Sequence, residues 1–172
     1  MLGWWFAVSN VTLRPCTREE YHEFFQGYEP DPVMDPKPYH YQRTHVDHCF
    51  DYDMLRKEWY PTFGIFENDR IVGTLSLKRI DSAASKCEIG LVLQNDSCKN
   101  RGIGTRAMQL GMEIAVEQYS ITNIWADTMG HNKRMQHILE KLGFQLKEHI
   151  CGVYDMPSGK EDRLVYCWIK HS

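Results

Sequence analysis

The segment best suited to chemistry joins an apolar strand to a helix that opens on glycines. Residues 88–104 read EIGLVLQNDSCKNRGIG, and the helix begins around Gly102-Ile103-Gly104. The first N–H groups of a helix have no internal partner, and the macrodipole is positive there, so a helix start binds anions such as pyrophosphate. Glycines let a diphosphate approach the backbone, and Lys99, Arg101 and Arg106 add positive charge. The segment therefore predicts a site for a phosphate-bearing ligand.

Two kinds of nucleotide ligand compete for this segment. Residues 102–107 also fit G-x-G-x-x-A, the dinucleotide fingerprint, and Asp127 lies 23 residues beyond Gly104. However, eight residues separate Leu93 from Gly102, whereas the fingerprint turn follows its strand directly. Too little chain remains for a doubly wound sheet, and no GxxxxGK[ST] motif is present. A nucleotide-dependent oxidoreductase therefore stays open as an alternative, and a P-loop is excluded.

The elements that must position this segment predict an α/β fold. A capping box at Thr17 and Glu20 begins the first helix, four prolines mark residues 28–40 as a loop, and Asn68-Asp69 indicates a hairpin. The predicted strands are 10–14, 62–67, 70–79, 86–93, 123–127, 144–153 and 163–171, and the predicted helices are 17–27, 45–59, 102–119 and 133–142. The order β-α-α-β-β-β-α-β-α-β-β predicts a mixed, mostly antiparallel sheet flanked by helices, with one βαβ crossover.

Composition bounds the class of protein. A chain of 172 residues, 42% hydrophobic and 25% charged, predicts a single domain over 1–172 with an apolar N-terminal extension at 1–9. That extension lacks a basic leader, so we expect no signal peptide, and no apolar run is long enough to span a membrane. Six cysteines without a CxxC pair predict reduced thiols in a cytoplasmic protein. The net charge of −3 argues against binding nucleic acid.

Charge is unevenly distributed along the chain. Residues 19–60 hold ten acids and four bases, a net −6, and the remainder is therefore +3. This division suits a protein that binds a cation and a polyanion, although two solvated surfaces would read the same way. Aromatic residues of the acidic half also suit a cationic amine, and they include Tyr21, Phe24, Phe25, Tyr28, Tyr39 and Tyr41. His40, His45, His48 and Cys49 lack a convincing ligand pattern, and we expect no metal.

Two motifs resemble signatures of the GNAT superfamily of N-acetyltransferases. Residues 99–104 resemble Q/R-x-x-G-x-G/A, and residues 132–144 resemble N-x-x-(small)-x-x-(aliphatic)-x-E-K-x-G-F. The element order matches as well, so the resemblance covers roughly residues 10–170. T-L-R-P near the start and I-L-E-K-L-G-F near the end are similar to the RimJ/RimL-like branch, which includes ribosomal-protein N-terminal acetyltransferases.

The resemblance implies acetyl-CoA as cosubstrate and a set of binding positions. They are Leu91, Val92 and Leu93 for pantetheine, with Lys99, Asn100, Arg101, Gly102, Ile103, Gly104 and Thr105 for pyrophosphate. A backbone N–H near Leu91 would be the oxyanion donor. Asn132 matches an asparagine near the pantetheine arm, and it would also serve as the N-cap of the next helix.

The resemblance also assigns proton transfer. Glu88, two residues before Gly90, is the implied general base, although an exposed strand glutamate would look the same. Tyr154 and His131 are further candidates. Two departures stand out: Lys99 replaces Gln or Arg, and Leu139 stands where many members have a tyrosine that protonates the leaving thiolate.

The resulting hypothesis is transfer of an acetyl group from acetyl-CoA to an amine by direct attack in a ternary complex. The acceptor stays open between a protein N-terminus, a polyamine and an aminoglycoside. A non-catalytic acyl-CoA-binding module is an alternative prompted by Leu139. The patch Trp4-Trp5-Phe6 makes a homodimer a further expectation.

Overall fold

The computed structural model describes residues 10–32 and 34–170, so the patch Trp4-Trp5-Phe6 lies outside the described residues. The strands are β1 (Val11–Arg14), β2 (Thr62–Glu67), β3 (Arg70–Asp81), β4 (Lys86–Leu93), β5 (Asn123–Met129), β6 (Gln145–Met156) and β7 (Gly159–Ile169). The helices are α1 (Arg18–Gln26), α2 (Arg43–Leu55), α3 (Ile103–Tyr119) and α4 (Lys133–Lys141). The predicted order of elements is confirmed. Within the described residues, no helix combines the length and apolar character needed to cross a membrane.

The seven strands form one sheet in the order β1-β2-β3-β4-β5-β7-β6. Its neighbours pair antiparallel except for β4 and β5, which run parallel and are joined through α3. A parallel pair needs a crossover connection, and the α3 helix supplies it. The predicted mixed sheet with one βαβ crossover is therefore confirmed.

Helices cover both faces of the sheet. Side chains of α3 and α4 pack on one face in the larger core, and those of α1 and α2 pack on the other in a smaller, aromatic-rich core. Successive side chains of β2 point to opposite faces of the sheet and contribute to both cores, because Ile65 is buried on one face and Phe66 on the other. Gly111 lets α3 lie close to the sheet, since a Cβ there would come within 2.9 Å of the Ile89 and Leu75 side chains.

Several element boundaries differ from the prediction, most of all at the end of α2 and in the terminal hairpin. Helix α2 ends at Leu55 rather than near Trp59. Pro61 disfavours helix at the residue before it, and the Arg56 side chain turns back to Asp53 and over the Tyr60 ring. The terminal hairpin is also longer than predicted, because β6 reaches Met156 and β7 starts at Gly159, with register shifts in β6 accommodating the extra residues. A short 3-10 helix at Asp96–Cys98 was not predicted.

The predicted capping box at the start of α1 is present and carries a stability prediction. The Thr17 hydroxyl accepts from Glu20 N at 3.3 Å, and Glu20 Oε2 accepts from Thr17 N at 2.8 Å. We expect Thr17→Ala to lower the free energy of unfolding by about 1 kcal/mol, measured by urea denaturation. Thr44→Ala, at an exposed position in the first turn of α2, is the control and should change stability by less than about 0.5 kcal/mol. Equal effects of the two substitutions would show that the cap contributes nothing particular.

Candidate functional site

The sheet splits between β4 and β5. Their ladder runs from Lys86–Asn123 to Glu88–Trp125 and ends there. Beyond that point β4 continues along β3 as far as Leu93, and β5 continues along β7 as far as Met129. The edge of β4 that faces β5 therefore has no ladder partner after Glu88. A split of this kind leaves backbone donors and acceptors available to an extended ligand.

A cavity of about 680 Å³ lies over this split, between the end of β4, the starts of α3 and α4, and the proline-rich loop. The structure places nine of the eleven predicted cofactor-binding residues along it: Leu91, Val92, Leu93, Lys99, Asn100, Gly102, Gly104, Thr105 and Asn132. Lys133, Arg134, His137 and Lys141 of α4 line it as well. We call this space the first cavity. Its many cations suit a ligand with several phosphates.

Two of the predicted residues do not line the first cavity. Ile103 is fully buried in the larger core. The Arg101 guanidinium turns away and pairs with Glu67 Oε1 at 2.8 Å. Ile103 is the first residue of α3, and an amphipathic helix directs some side chains of its first turn into the core, whereas Arg101 precedes the helix. Any contact from these two residues to a cosubstrate would have to come from their backbone.

The start of α3 is open to an anion. Gly102 is the N-cap residue, has φ of +80°, and provides no side-chain cap. A Cβ placed on it would meet nothing within 4 Å. Glycine is the residue that adopts this left-handed conformation most readily, so the sequence favours this turn. The N–H groups of the first helical turn therefore face the first cavity without a side chain competing for them.

An acidic side chain from the proline-rich loop already touches the cations of the first cavity. Asp31 Oδ2 lies 2.9 Å from Lys99 Nζ and 3.2 Å from Arg134 Nη1. Asp96 Oδ1 lies 2.7 Å from the same Lys99 Nζ. Burial alone lowers the pKa of Lys99, but the hydrogen bonds to Asp96 and Asp31 outweigh it and raise that pKa above its ordinary value. Lys99 is thus held in its charged form at the edge of the cavity.

A second cavity of about 310 Å³ adjoins the first on the side of α1 and α2. The two share Met34, Leu91, Val92, Asn132 and Met135 as lining residues. They therefore meet at the split, where β4 has no partner strand. Ligands in the two cavities would meet at this junction, beside Leu91 and Val92.

Glu88, the predicted general base, lines the second cavity. Its side chain is 27% exposed, and its Oε1 lies 2.7 Å from Arg79 Nη1 at the surface. The carboxylate thus stands at the last rung of the β4–β5 ladder, directly before the split. The other proton-transfer candidates lie elsewhere: neither Tyr154 nor His131 lines either cavity, and His131 pairs with Glu161.

Two positions of the second motif have clear structural roles. Asn132 is the N-cap of α4, since its Oδ1 accepts from Met135 N at 3.1 Å, and it also lines both cavities. Leu139 is fully buried in the larger core and lines neither cavity. The position that carries a tyrosine in many relatives therefore contributes packing in this chain, and it offers no proton donor.

The histidines near α2 do not assemble a metal site among the described residues. His45 Nε2 and Cys49 Sγ lie 3.7 Å apart, without further ligands grouped around them. The one metal-compatible cluster in the described part of the chain is His149, Cys151 and Asp162 on the β6–β7 hairpin. Asp162 there already pairs with His149 at 2.7 Å.

Sequence reasoning missed several residues of the second cavity. Thr128 is 4% exposed, and its Oγ1 has no hydrogen-bond partner within the described ranges. Lys78 lines the same space from β3, and so does Asp127 from β5, which the sequence indicated only as the acid of a dinucleotide fingerprint. No motif separates Lys78 and Thr128 from ordinary strand residues. Only the splay of β4 from β5, a tertiary feature, brings them around one cavity.

Comparisons with known proteins agree with this geometry. The family model of the acetyltransferase (GNAT) domain matches residues 10–145. "Probable N-acetyltransferase YjcK" of Bacillus subtilis (strain 168) is 31% identical over 94 residues, a match that covers 54% of this chain and 52% of the relative. The matched segment therefore spans about half the length of that curated relative.

Solved structures with the same fold include two acetyltransferases. A spermidine N-acetyltransferase SpeG chimera from Vibrio cholerae and hSSAT has a TM-score of 0.81 at 14% identity, and the match covers 94% of this chain and 96% of that chain. RimL, a ribosomal-protein α-N-acetyltransferase solved with coenzyme A, has a TM-score of 0.78 at 17% identity, with 94% and 96% covered. At such identities the likeness concerns the fold, and it supports the RimJ/RimL-like resemblance at that level.

Proposed function

Because the chain belongs to the GNAT acetyltransferase family, we propose that it transfers the acetyl group of acetyl-CoA to an amine by direct attack in a ternary complex. The observation that carries the proposal is the meeting of two cavities at the point where β4 leaves β5. One cavity is lined by cations and an open helix start, and the other by polar side chains including a carboxylate. A donor and an acceptor would meet between them.

In this proposal the first cavity holds acetyl-CoA. The N–H groups at the start of α3 bind the pyrophosphate, and Lys99 and the α4 cations add charge attraction. Pantetheine lies along Leu91, Val92 and Leu93, where backbone groups have no β5 partner. Asn132 sits beside it at the junction. These roles follow the resemblance, and the placement of the residues supports them.

The chemical step is aminolysis of the thioester. The neutral amine nitrogen attacks the carbonyl carbon and forms the C–N bond, and a backbone N–H near Leu91 stabilises the oxyanion of the resulting tetrahedral intermediate. Collapse of that intermediate restores the carbonyl and breaks the C–S bond. Glu88 accepts the proton that the amine nitrogen loses, directly or through water. The thiolate leaves with its electron pair. Since Leu139 has no proton to give, the low basicity of a thiolate is what allows departure without a side-chain acid.

The test is acetyl-CoA-dependent thiol release with a panel of amino acids, N-terminal peptides, polyamines and aminoglycosides. Turnover with an amine, together with a product 42 Da heavier by mass spectrometry, would establish the reaction; that increment is the exchange of one hydrogen for an acetyl group. Binding of acetyl-CoA without turnover on any amine would favour a non-catalytic acyl-CoA-binding module. Binding of NAD in place of acetyl-CoA would revive an oxidoreductase.

The contact of Asp31 with the cations of the first cavity yields a further prediction. A pyrophosphate must compete with the Asp31 carboxylate for Lys99 and Arg134. We therefore expect Asp31→Asn to tighten acetyl-CoA binding about fivefold, equivalent to roughly 1 kcal/mol. Isothermal titration calorimetry at two salt concentrations measures the effect.

Asp35→Asn is the matched control for this prediction. Asp35 lines the same cavity, but its Oδ1 accepts from Lys37 N at 3.0 Å. Its loss should leave the affinity nearly unchanged. If Asp31→Asn weakens binding, then Asp31 supports the cosubstrate site rather than competing for it.

A further inference from the structure

The second cavity carries more positive charge than the acidic first half of the chain suggests. Of the ten acids in residues 19–60, only Asp53 lines it. Asp47 and Asp51 pair with Arg18 elsewhere. The expected acidic surface for a cationic acceptor is therefore not gathered around this cavity.

Each of the three acids that line the second cavity is matched by an arginine. The pairs are Asp53–Arg56 at 2.6 Å, Glu88–Arg79 at 2.7 Å and Asp127–Arg163 at 2.7 Å. Asp53 also accepts from the Tyr21 hydroxyl at 3.0 Å, so both of its oxygens are engaged. Six formal charges thus cancel in three pairs, in which Arg56 lines the cavity and Arg79 and Arg163 reach the acids from outside its lining.

Lys78 is the charge that remains. It is half-buried, lines the second cavity, and lies on β3 directly opposite Glu88. Within residues 10–32 and 34–170, its ammonium has no hydrogen-bond or ion-pair partner. The cation reaches the floor of the cavity, since Nζ would lie only 3.5 Å from a Cβ at Gly90. A partly desolvated ammonium without a partner is a binding site for an anion.

We infer that the amine acceptor carries an anionic group, a carboxylate or a phosphate, that binds Lys78 while the amine is acetylated. This inference rests on the proposed acetyl transfer at the junction of the two cavities. Thr128, whose buried hydroxyl lines the same cavity without a partner among the described residues, offers the acceptor a second polar contact. A polycation such as spermidine would instead meet uncompensated positive charge.

The position of Lys78 limits the spacing between the two groups of the acceptor. Its ammonium lies at Gly90, and the junction of the cavities begins at the next residue, Leu91. One to two residues along a strand span roughly 3–7 Å. The amine and the anion are therefore a few bonds apart, as in a compact amino acid, an aminoalkyl phosphate or a peptide with an acidic second residue.

Matched acceptor pairs test the inference. The pairs are β-alanine with β-alaninamide, O-phosphoethanolamine with ethanolamine, and a tripeptide with Asp or with Asn at its second position. We expect the anionic member to have a kcat/KM about tenfold or more above its neutral partner in at least one pair. The pair that responds identifies the source of the anion. An amide lowers the basicity of a nearby amine, so a larger fraction of the amide-bearing acceptor is in the neutral form that attacks. A higher kcat/KM for the anionic member would therefore come from binding and not from basicity.

Variants connect that preference to Lys78. In Lys78→Met the ratio within the responding pair should fall to about one, and in Lys78→Glu it should invert. Lys86→Met is the control, because Lys86 is an exposed lysine at the start of β4 that lines neither cavity. It should leave the ratio at the wild-type value. Thermal melting of all three variants confirms folding.

If no amine is turned over, the binding of acetylated products still tests whether Lys78 selects an anion. Calorimetry on the complex with CoA would compare N-acetyl-β-alanine with its amide, and the acid should bind about tenfold tighter in the wild type but not in Lys78→Met. Equal affinities, or a loss in Lys78→Met that is the same for acid and amide, would overturn the inference. Failure of the proposed function looks different: no amine of the panel is turned over, whether or not acetyl-CoA binds.

Discussion

Gly102→Asp is expected to weaken acetyl-CoA binding about 30-fold or more relative to Gly102→Asn. The added carboxylate would stand at the start of α3, where the proposal places the pyrophosphate. Two unit charges about 4 Å apart repel by about 4 kcal/mol at an effective dielectric constant of 20, and half of that repulsion gives about 30-fold. Calorimetric titration with acetyl-CoA measures the difference in affinity between the two variants.

The comparison with asparagine isolates the charge. Asp and Asn have nearly the same size, and both tolerate the left-handed conformation that φ of +80° requires. Each would occupy open space, since nothing lies within 4 Å of a Cβ at this position. The two variants should therefore melt at similar temperatures. If both bound acetyl-CoA equally well, the pyrophosphate would not lie at the start of α3.

Glu88→Gln is expected to lower kcat by about 100- to 10,000-fold while leaving the affinity for acetyl-CoA unchanged. Glutamine keeps the shape of the side chain but cannot accept the proton from the amine. The lost ion pair with Arg79 is a surface interaction and should cost little stability. Steady-state kinetics with a responding amine, and acetyl-CoA titration of the same variant, separate the two effects.

The pH profile distinguishes a lost base from a lost contact. Without Glu88 the proton that the amine nitrogen loses must pass to hydroxide or buffer, so the rate of Glu88→Gln should rise with pH more steeply than that of the wild type. Glu117→Gln is the control, because Glu117 is an exposed glutamate on α3 that lines neither cavity. This variant should behave as the wild type. A Glu88→Gln enzyme with the wild-type kcat and pH profile would remove Glu88 from the proton-transfer role.

Local physics explains which features the sequence predicted well. The capping box at Thr17, the turn at Asn68-Asp69 and the C-terminal glycine of α4 are each specified by a few adjacent residues. Gly143, for example, has φ of +85° and donates to Glu140 O at 3.0 Å, as a residue just after a helix should. The end of α2 was predicted less well, because apolar periodicity alone did not show that Arg56 pairs with Asp53 and ends the helix at Leu55.

The binding segment illustrates the same division within one motif. The spacing of Gly102 and Gly104 after an apolar strand is enough, by residue type alone, to indicate an anion site. The sequence did not show that Arg101 turns away to Glu67, or that Asp31 reaches the cations of the first cavity from a loop 68 residues earlier in the chain. Such contacts depend on which segments the fold brings together.

The order of elements, the helix start that we propose binds an anion and the resemblance to a family could be predicted from the sequence, because these depend on residue type and short-range spacing. The surroundings of the proposed acceptor site depend on the tertiary structure. Glu88, Lys78 and Thr128 come from three strands, and they share one cavity because β4 separates from β5 after Glu88. Each acid that lines the second cavity pairs with an arginine, which leaves Lys78 without an ion-pair partner among the described residues. These pairs depend on distances in space rather than on spacing along the chain.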